Sequence, residues 1–530
     1  MDTQAIYRRR WLILSVLIVG LLAIVIDNTV LNVALKTIAE PHGGLGASQS
    51  QLEWAINSYT LVFAGLLFTF GVVGDKVGRK RMLIIGLALF GIASLLSAYS
   101  RSPEQLIFAR AAMGLGGAAV MPQTLSIVSH VFEPAERPRA IGLWAMAVGL
   151  GIATGPVLGG LLLDHFWWGS VFLINVPVTA IGILAAVILV PESRNHEAGG
   201  IDYVGVLLSI AGLITLVYGI VQGGDTGSWV RLDVLGPIAG GLVILAAFAW
   251  YEARIAHPSL DVRLFRDRRL SASVGALALV FFGMGGVFFF TSFYLQNVRG
   301  YSPLTAGLLT VPFAAGQLLM SPRSAALVRR YGAKAPGATG LFIMAAAVGG
   351  YATLGTNSPI WILGVLFGIQ GAAMGVVMPA ATSAVMDVLP RERAGAGSAL
   401  TNTARQVAVA LSVAVLGSIL AEFYRNSLSP TLSHLPAAAQ TAASSSISAT
   451  QAVAQQLGGA GKFLLVPAND AFVHAMHYTT LVAALLALAG GFVVLRWMPG
   501  KPKQAGPASD GDYEAELAIL EKEVKLSREA

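Results

Sequence analysis

The chain has 530 residues, of which 55% are hydrophobic and only 12% charged, and its mean hydropathy is +0.69. A water-soluble protein carries about 25% charged residues, so the composition excludes a soluble globular domain and points to an all-α protein that crosses a membrane many times. The net charge of +7 is scattered over short loops, with no patch built for nucleic acid, and the lack of cysteine excludes disulfides, thiolate metal sites and a cysteine nucleophile.

A crossing takes about 20 apolar residues, and the apolar runs predict fourteen spans. They cover 11–35, 54–73, 82–99, 104–131, 140–163, 170–190, 204–222, 235–251, 270–298, 304–327, 337–354, 360–386, 394–423 and 478–497. The first run follows Arg8, Arg9 and Arg10 and is too long for a cleaved leader, so it reads as a retained helix. Segment 425–470, rich in Ala, Ser, Gln and Gly, is too polar to span and reads as an outer loop with a short surface helix over Ser448–Gln456. The tail 498–530 opens with Pro, Gly and Ser and ends in an amphipathic stretch, Tyr513–Leu526, with Leu517, Leu520 and Val524 on one side.

Alternate loops carry the bases. One set holds Lys76, Arg79, Lys80 and Arg81; Arg137 and Arg139; Arg194; Arg254, Arg263, Arg266, Arg268 and Arg269; Arg329, Arg330 and Lys334; and Arg391 and Arg393. The other set holds Lys36, Arg101, Arg231, Arg299, Arg425 and Lys462. Positive charge marks the cytoplasmic side, so both termini are expected there. Val328–Lys334 sits after the second span of the later half where Gly74–Lys80 sits in the first, an echo that lacks the aspartate. Such a repeat suggests two six-helix bundles around a midplane site, with spans seven and eight inserted between them. The expected organisation is an N-terminus over 1–10, a first bundle over 11–190, an insertion over 191–269, a second bundle over 270–497 and the tail over 498–530.

Charge inside a span marks chemistry. Asp27 lies in the middle of the first span, where an ionised carboxylate costs roughly 2.5–3.5 kcal/mol to insert. It must face a cavity, a partner or a proton; a packing hydrogen bond to Asn57 is the alternative. Arg110, in the fourth span, is costly unless paired. It is suited to tune a nearby carboxylate or join a proton relay, and a side chain reaching back to the outer interface is the alternative. Asn32, Gln123, Gln222, Gln296, Asn297, Gln370, Asn402, Arg405 and Gln406 are the other polar residues at depth, each expected to make a helix–helix hydrogen bond. Trp144, Phe288, Phe289, Phe290 and Tyr294, together with Gln317, Asn402 and Arg405, are candidate walls of an amphipathic cavity. His474 and His477, at i and i+3, could share a helix face, but no metal site is expected there.

Two motifs are more specific. The hairpin Gly71-Val72-Val73-Gly74-Asp75-Lys76-Val77-Gly78-Arg79-Lys80-Arg81 resembles the signature loop between the second and third helices of the major facilitator superfamily. Gly151-Ile152-Ala153-Thr154-Gly155-Pro156-Val157-Leu158-Gly159-Gly160 resembles the superfamily's antiporter motif, which marks exporters. With Ile26-Asp27-Asn28-Thr29-Val30 in span one, Asn175-Val176-Pro177 in span six and Tyr294–Pro303, the chain resembles the fourteen-span drug:proton antiporters of that superfamily.

The resemblance implies a transporter and not an enzyme: a proton-driven exporter of lipophilic cationic or amphipathic compounds, working by alternating access in a bacterial cytoplasmic membrane. Its implied partners are protons, small drug-like molecules and lipids, without nucleic acid, and it works as a monomer. A same-fold exporter of one antibiotic, lipid, siderophore or metabolite is the alternative. No cofactor is expected, since the glycine stretches follow no strand and carry no Walker-type lysine and serine. The resemblance assigns proton coupling and substrate contact to Asp27, Arg110, Asn57 and Tyr59. It assigns a cytoplasmic latch to Gly71, Gly74, Asp75, Gly78, Arg79 and Lys80, and the antiporter motif to Gly151, Gly155, Pro156, Gly159 and Gly160, with Gly155 and Pro156 shaping the interbundle packing. Asn57 stands where the resembled type has an aspartate, and Gln317, Asn402 and Arg405 stand where its later half has acids. The expected cargo is therefore monovalent cations, zwitterions or neutral drugs, moved at low proton stoichiometry.

Overall fold

The computed structural model describes residues 3–498 apart from 42, 134–135, 195–201, 256–257, 259 and 389–393. Among these residues every regular element is helical. Among the described residues thirteen helices are long and apolar enough to cross a membrane, and fourteen once the second, bent by 54° between Leu67 and Thr69, is counted as one span. Helices suit this solvent because they satisfy their backbone donors and acceptors within each segment.

The first half comprises α1 (Thr3–Ala39), α2 (Gln49–Val77), α3 (Arg79–Ala98), α4 (Pro103–Val131), α5 (Arg137–His165), α6 (Ser170–Leu173) and α7 (Asn175–Leu189). Its sixth span is broken between α6 and α7, where Pro177 lacks the N–H that would bond the Leu173 carbonyl. Ser48 and Gln51 form a capping box that starts α2, and Ser102, followed by Pro103, starts α4. α8 (Tyr203–Thr226) and α9 (Leu232–Glu252) form the inserted pair. The second half comprises α10 (Arg268–Phe293) with a π turn over Tyr294–Val298, α11 (Pro303–Leu308), α12 (Val311–Tyr331), α13 (Lys334–Gly350), α14 (Ile360–Val388), α15 (Ala394–Leu432), α16 (Ala437–Ser444), α17 (Ile447–Gln456) and α18 (Leu465–Trp497).

α1 packs on α5 and α7, α2 and α3 pack on α4, and in the second half α12 packs on α14 and α13 on α18. α8 lies along the seam where α2 meets α15. There Leu213, Val217 and Val221 of α8 join Leu61 of α2 and Ala410 and Ala414 of α15 in one apolar cluster. α9 turns most of its surface outward, with Leu242, Val243 and Trp250 exposed. That is the polarity expected of a helix facing lipid.

Three expectations change. The tenth span is two helices, because Leu309 and Thr310 separate α11 from α12, which begins with Pro312 in its first turn. Segment 425–470 is mostly helix: α15 runs on to Leu432 and α18 starts at Leu465 instead of Tyr478. The polar Asn469, Asp470, His474 and His477 lower the hydropathy of that start, yet Ala468, Ala471, Phe472, Ala475 and Met476 on its other side are buried. α1 likewise begins at Thr3, inside the expected 1–10 terminus. The surface helix of the outer segment is α17, held by Asn297 Nδ2 donating to Ser448 Oγ (3.1 Å) and Gln451 Oε1 (2.8 Å). The tail stretch Tyr513–Leu526 and the loop bases Arg391 and Arg393 lie outside the described residues.

The halves touch at one end of the molecule. Lys36 Nζ donates to the Gln296 carbonyl (3.0 Å) and Gln296 Nε2 to the Val33 carbonyl (2.8 Å). Asp164 accepts from Ser302 Oγ and from the Leu304 N–H, both at 3.3 Å. Gln49 Nε2 donates to the Gly417 carbonyl (3.0 Å).

Candidate functional site

Asp27 on α1 is 1% exposed, and so is Arg110 on α4. Arg110 Nη1 pairs with Asp27 Oδ2, and Arg110 Nε donates to the Ala55 carbonyl of α2 at 3.1 Å. The guanidinium also lies 4.4 Å from the centre of the Tyr59 ring, a cation–π contact. On its other side Asp27 Oδ1 accepts from Asn175 Nδ2 (3.0 Å), which also donates to Ser94 Oγ (3.0 Å). Asn175 is the first residue of α7, so the Pro177 break sets that amide beside the carboxyl. Asn28 Nδ2 donates to Tyr59 Oη at 3.0 Å. One carboxyl thus joins α1 to α4 and α7, and through Arg110 to α2, with both of its oxygens bonded. The neighbour that bonds Asp27 is Asn175, where the sequence suggested Asn57; both side-chain polar atoms of Asn57 are buried without a hydrogen-bond partner.

Beside this cluster a cavity lies between the halves. Ile24, Val25, Asn28 and Arg110 line it from the first half, and Phe281, Phe288, Arg405 and Gln406 from the second. Asp27 is not on its wall. Of the expected wall residues, Phe288 and Arg405 take part. Tyr294 donates from Oη to the Gly355 carbonyl (2.8 Å), and Trp144 Nε1 donates to Thr124 Oγ1 (3.1 Å). Gln317 and Asn402 are not among the lining residues either. Phe290 packs edge-on to Tyr351 and Phe289 on Phe293. His474 contacts Ser427 Oγ (3.1 Å) and His477 the Leu354 carbonyl (2.7 Å), so the two rings serve separate contacts.

The glycine motif of α5 faces two partners. A Cβ at Gly151 would meet Val25 Cγ1 at 2.8 Å, one at Gly155 would collide with Thr29 Oγ1, and one at Gly159 would meet the Val30 carbonyl at 3.2 Å, all on α1. One at Gly160 would lie 2.5 Å from Leu304 Cα across the interface to α11, and Gly307 packs on the Pro156 carbonyl. Side chains at these positions would push α5 off both neighbours.

The hairpin between α2 and α3 is tied to its own half. Asp75 Oδ1 accepts from Arg79 Nε at 2.7 Å. The Arg79 N–H donates to the Ser193 carbonyl (3.0 Å), the Lys80 N–H to Glu192 Oε1 (3.2 Å) and Lys80 Nζ to the Val187 carbonyl (2.7 Å). Gly78 has φ 124°, ψ 127°, a conformation that glycine takes most readily. Gly71 and Gly74 face Pro122 and Gln123 of α4. Gly332, at φ 77°, ends α12 as Gly78 ends α2, so the internal echo extends to the backbone.

Sequence reasoning missed Glu53. It is 2% exposed on α2, beside Gly417 of α15, and Glu53 Oε2 has no hydrogen-bond partner. The second span read from hydropathy starts at Trp54 and leaves this acid outside. The Ser48–Gln51 capping box was the signal that places it one turn inside the helix.

The family profile described as the Major Facilitator Superfamily matches residues 17–413. The chain is 35% identical over 489 residues to the multidrug efflux pump LfrA of Mycolicibacterium smegmatis, covering 92% of this chain and 96% of that protein. It is 30% identical over 493 residues to the methyl viologen resistance protein SmvA of Salmonella typhimurium, covering 91% and 97%. It is 32% identical over 414 residues to the tetracenomycin C resistance and export protein of Streptomyces glaucescens, covering 78% and 76%. A bacterial homologue of the human lysosomal transporter Spinster, in an inward-facing and occupied conformation, superposes with a TM-score of 0.64 at 17% identity, over 93% of this chain and 97% of that one. With two six-helix halves around a cavity, a glycine-capped hairpin in the first half echoed in the second, and a profile match across most of its length, the chain belongs to the Major Facilitator Superfamily.

Proposed function

We propose that the protein is a proton-driven efflux transporter of amphipathic drug-like compounds, resident in a bacterial cytoplasmic membrane. The observation that carries the coupling is the bonding of Asp27, whose two oxygens are held by Arg110 and Asn175 beside the cavity. Protonation of Asp27 removes the charge that pairs with Arg110, so the state of one proton alters how α1, α4 and α7 hold together. That is the local change that can bias the two-state rocking of the halves. The efflux and resistance proteins that resemble the chain over most of its length support the direction of transport. The alternating loop charge supports an orientation with both termini in the cytoplasm. In that orientation the contacts of Asp164, Gln49 and Lys36 close the outer end, and the cavity belongs to an inward-open state. The hairpin around Asp75 then stabilises the cytoplasmic ends of its own half through Glu192 and Ser193.

The cycle runs as exchange. Substrate enters the cavity from inside, the halves rock to open the outer end, and a proton taken from outside by Asp27 accompanies the return. The test is uptake into inverted vesicles with an acid interior, using ethidium as a cationic probe and norfloxacin as a zwitterionic one. Accumulation of either that collapses with an uncoupler and is lost in Asp27→Asn supports the reading. An Asp27→Asn protein that still concentrates the probe under the same gradient removes Asp27 from coupling, and no gradient-driven movement of either probe rejects the export reading.

A further inference from the structure

The cavity wall carries two charged residues, Arg110 and Arg405, and no carboxylate. The charge of Arg110 is already spent, since its guanidinium pairs with Asp27 behind the wall. Arg405 on α15 is different. Among the described residues it forms no ion pair, and its guanidinium lies 5.2 Å from the centre of the Phe281 ring. Gln406, the next residue, and Asn28 and Asn32 on α1 add hydrogen-bonding groups to the same wall, and Phe281 and Phe288 supply an aromatic surface.

A guanidinium presents up to five N–H donors in a planar fork that matches a carboxylate. Left without an acid at depth in a membrane protein, it is costly and calls for a counter-charge. The protein offers none on this wall, so the ligand must bring it. The aromatic faces next to the fork suit a flat apolar body attached to that acidic group.

We propose that the central cavity binds amphipathic anions, the acidic group of the ligand pairing with Arg405 and its aromatic body lying against Phe281 and Phe288. The inference rests on the export reading only for its physiological meaning; binding itself needs no gradient. It departs from the expected cargo of monovalent cations, zwitterions or neutral drugs, because the lining carries no acid that would draw a cation and Arg405 on it forms no ion pair among the described residues. Zwitterions with a carboxylate fit the same site.

The test uses the full chain in lipid nanodiscs, with binding to empty nanodiscs subtracted, and a matched pair of probes: pyrenebutyrate and pyrenebutylammonium. Wild type should bind the acid roughly tenfold or more tightly than the amine, the scale of one charge-assisted pair. Arg405→Gln should abolish that preference while leaving the fold intact, and Arg405→Lys should retain part of it. Equal binding of the two probes by wild type, tighter binding of the amine, no binding of either, or an unchanged ratio in Arg405→Gln overturns the proposal. Where Arg405→Gln does not fold, the wild-type ratio and the Arg405→Lys protein decide. If the acid binds selectively but no probe moves in vesicles, the export reading fails and this site stands. If ethidium is pumped and the acid does not bind, the reverse holds.

Discussion

Glu53 on α2 sets its carboxyl against Gly417 on α15, and only the missing side chain of the glycine makes room for it. The contact joins the two halves at their closed end, next to the bond from Gln49 to the Gly417 carbonyl. A carboxyl with an unbonded oxygen in such a place is tolerable when neutral and costly when charged. The Glu53→Gln protein should therefore match or exceed the wild type in thermal stability, whereas Gly417→Val should lower it and loosen the closed end. Melting of the purified proteins checks both, and a clear loss of stability in Glu53→Gln would show that a charged Glu53 has a stabilising partner.

Arg110 and Asp27 form a buried pair, and removing one partner strands the other. Arg110→Ala should destabilise the protein by about 3–5 kcal/mol, and the double variant Arg110→Ala with Asp27→Asn should recover part of that loss. Arg110→Lys should not restore wild-type behaviour, since an ammonium cannot reach both the Ala55 carbonyl and Asp27 Oδ2 with fixed geometry. Denaturant unfolding of wild type, Arg110→Ala, Asp27→Asn and the double variant measures the coupling, and additive losses would mean that the two side chains act independently.

Asp164 and Ser302 report on the closed end. The chain has no cysteine, so Asp164→Cys with Ser302→Cys gives a single reactive pair across the halves. A short thiol cross-linker should react with that pair and stop transport, with each single variant unaffected. Cross-linked protein that still pumps would show that this end does not part during the cycle.

Gly78 holds φ 124°, and a Cβ there would also lie 2.6 Å from Glu192 Oε1. Gly78→Ala should cost about 1–3 kcal/mol from backbone strain, with a further loss of the hairpin's bonds to Glu192. In a Glu192→Ala background, which lacks both the collision and those bonds, Gly78→Ala should cost only the strain. Comparing the melting temperatures of the single and double variants separates the two contributions.

Gly160 meets the backbone of Leu304 and faces the other half, whereas Gly155 meets Thr29 of its own half. Gly160→Val should hinder closure of that end and slow transport with little effect on the first half's packing. Gly155→Val should lower stability instead. The two effects are read by vesicle uptake and by thermal melting, and equal losses in both assays for both variants would remove the distinction.

Hydropathy and loop charge in the sequence alone determined the helical class, the number of spans and the inserted pair, because lipid acts on each segment locally. The same cost identified Asp27 and Arg110, since any charge at mid-span must have a reason. The motif glycines were legible for the same kind of reason: close approach and positive φ exclude most side chains.

Tertiary structure alone decided who meets whom. Helices that are apolar nearly all round carry little periodic signal about which face meets which neighbour. Hence Asp27 finds Asn175, 148 residues away, and Tyr294 and Trp144 turn to hydrogen bonds outside the cavity while Arg405 lines it. Glu53 was hidden because its burial is supplied by α15, a partner more than 350 residues on, and no local reading of α2 contains that helix.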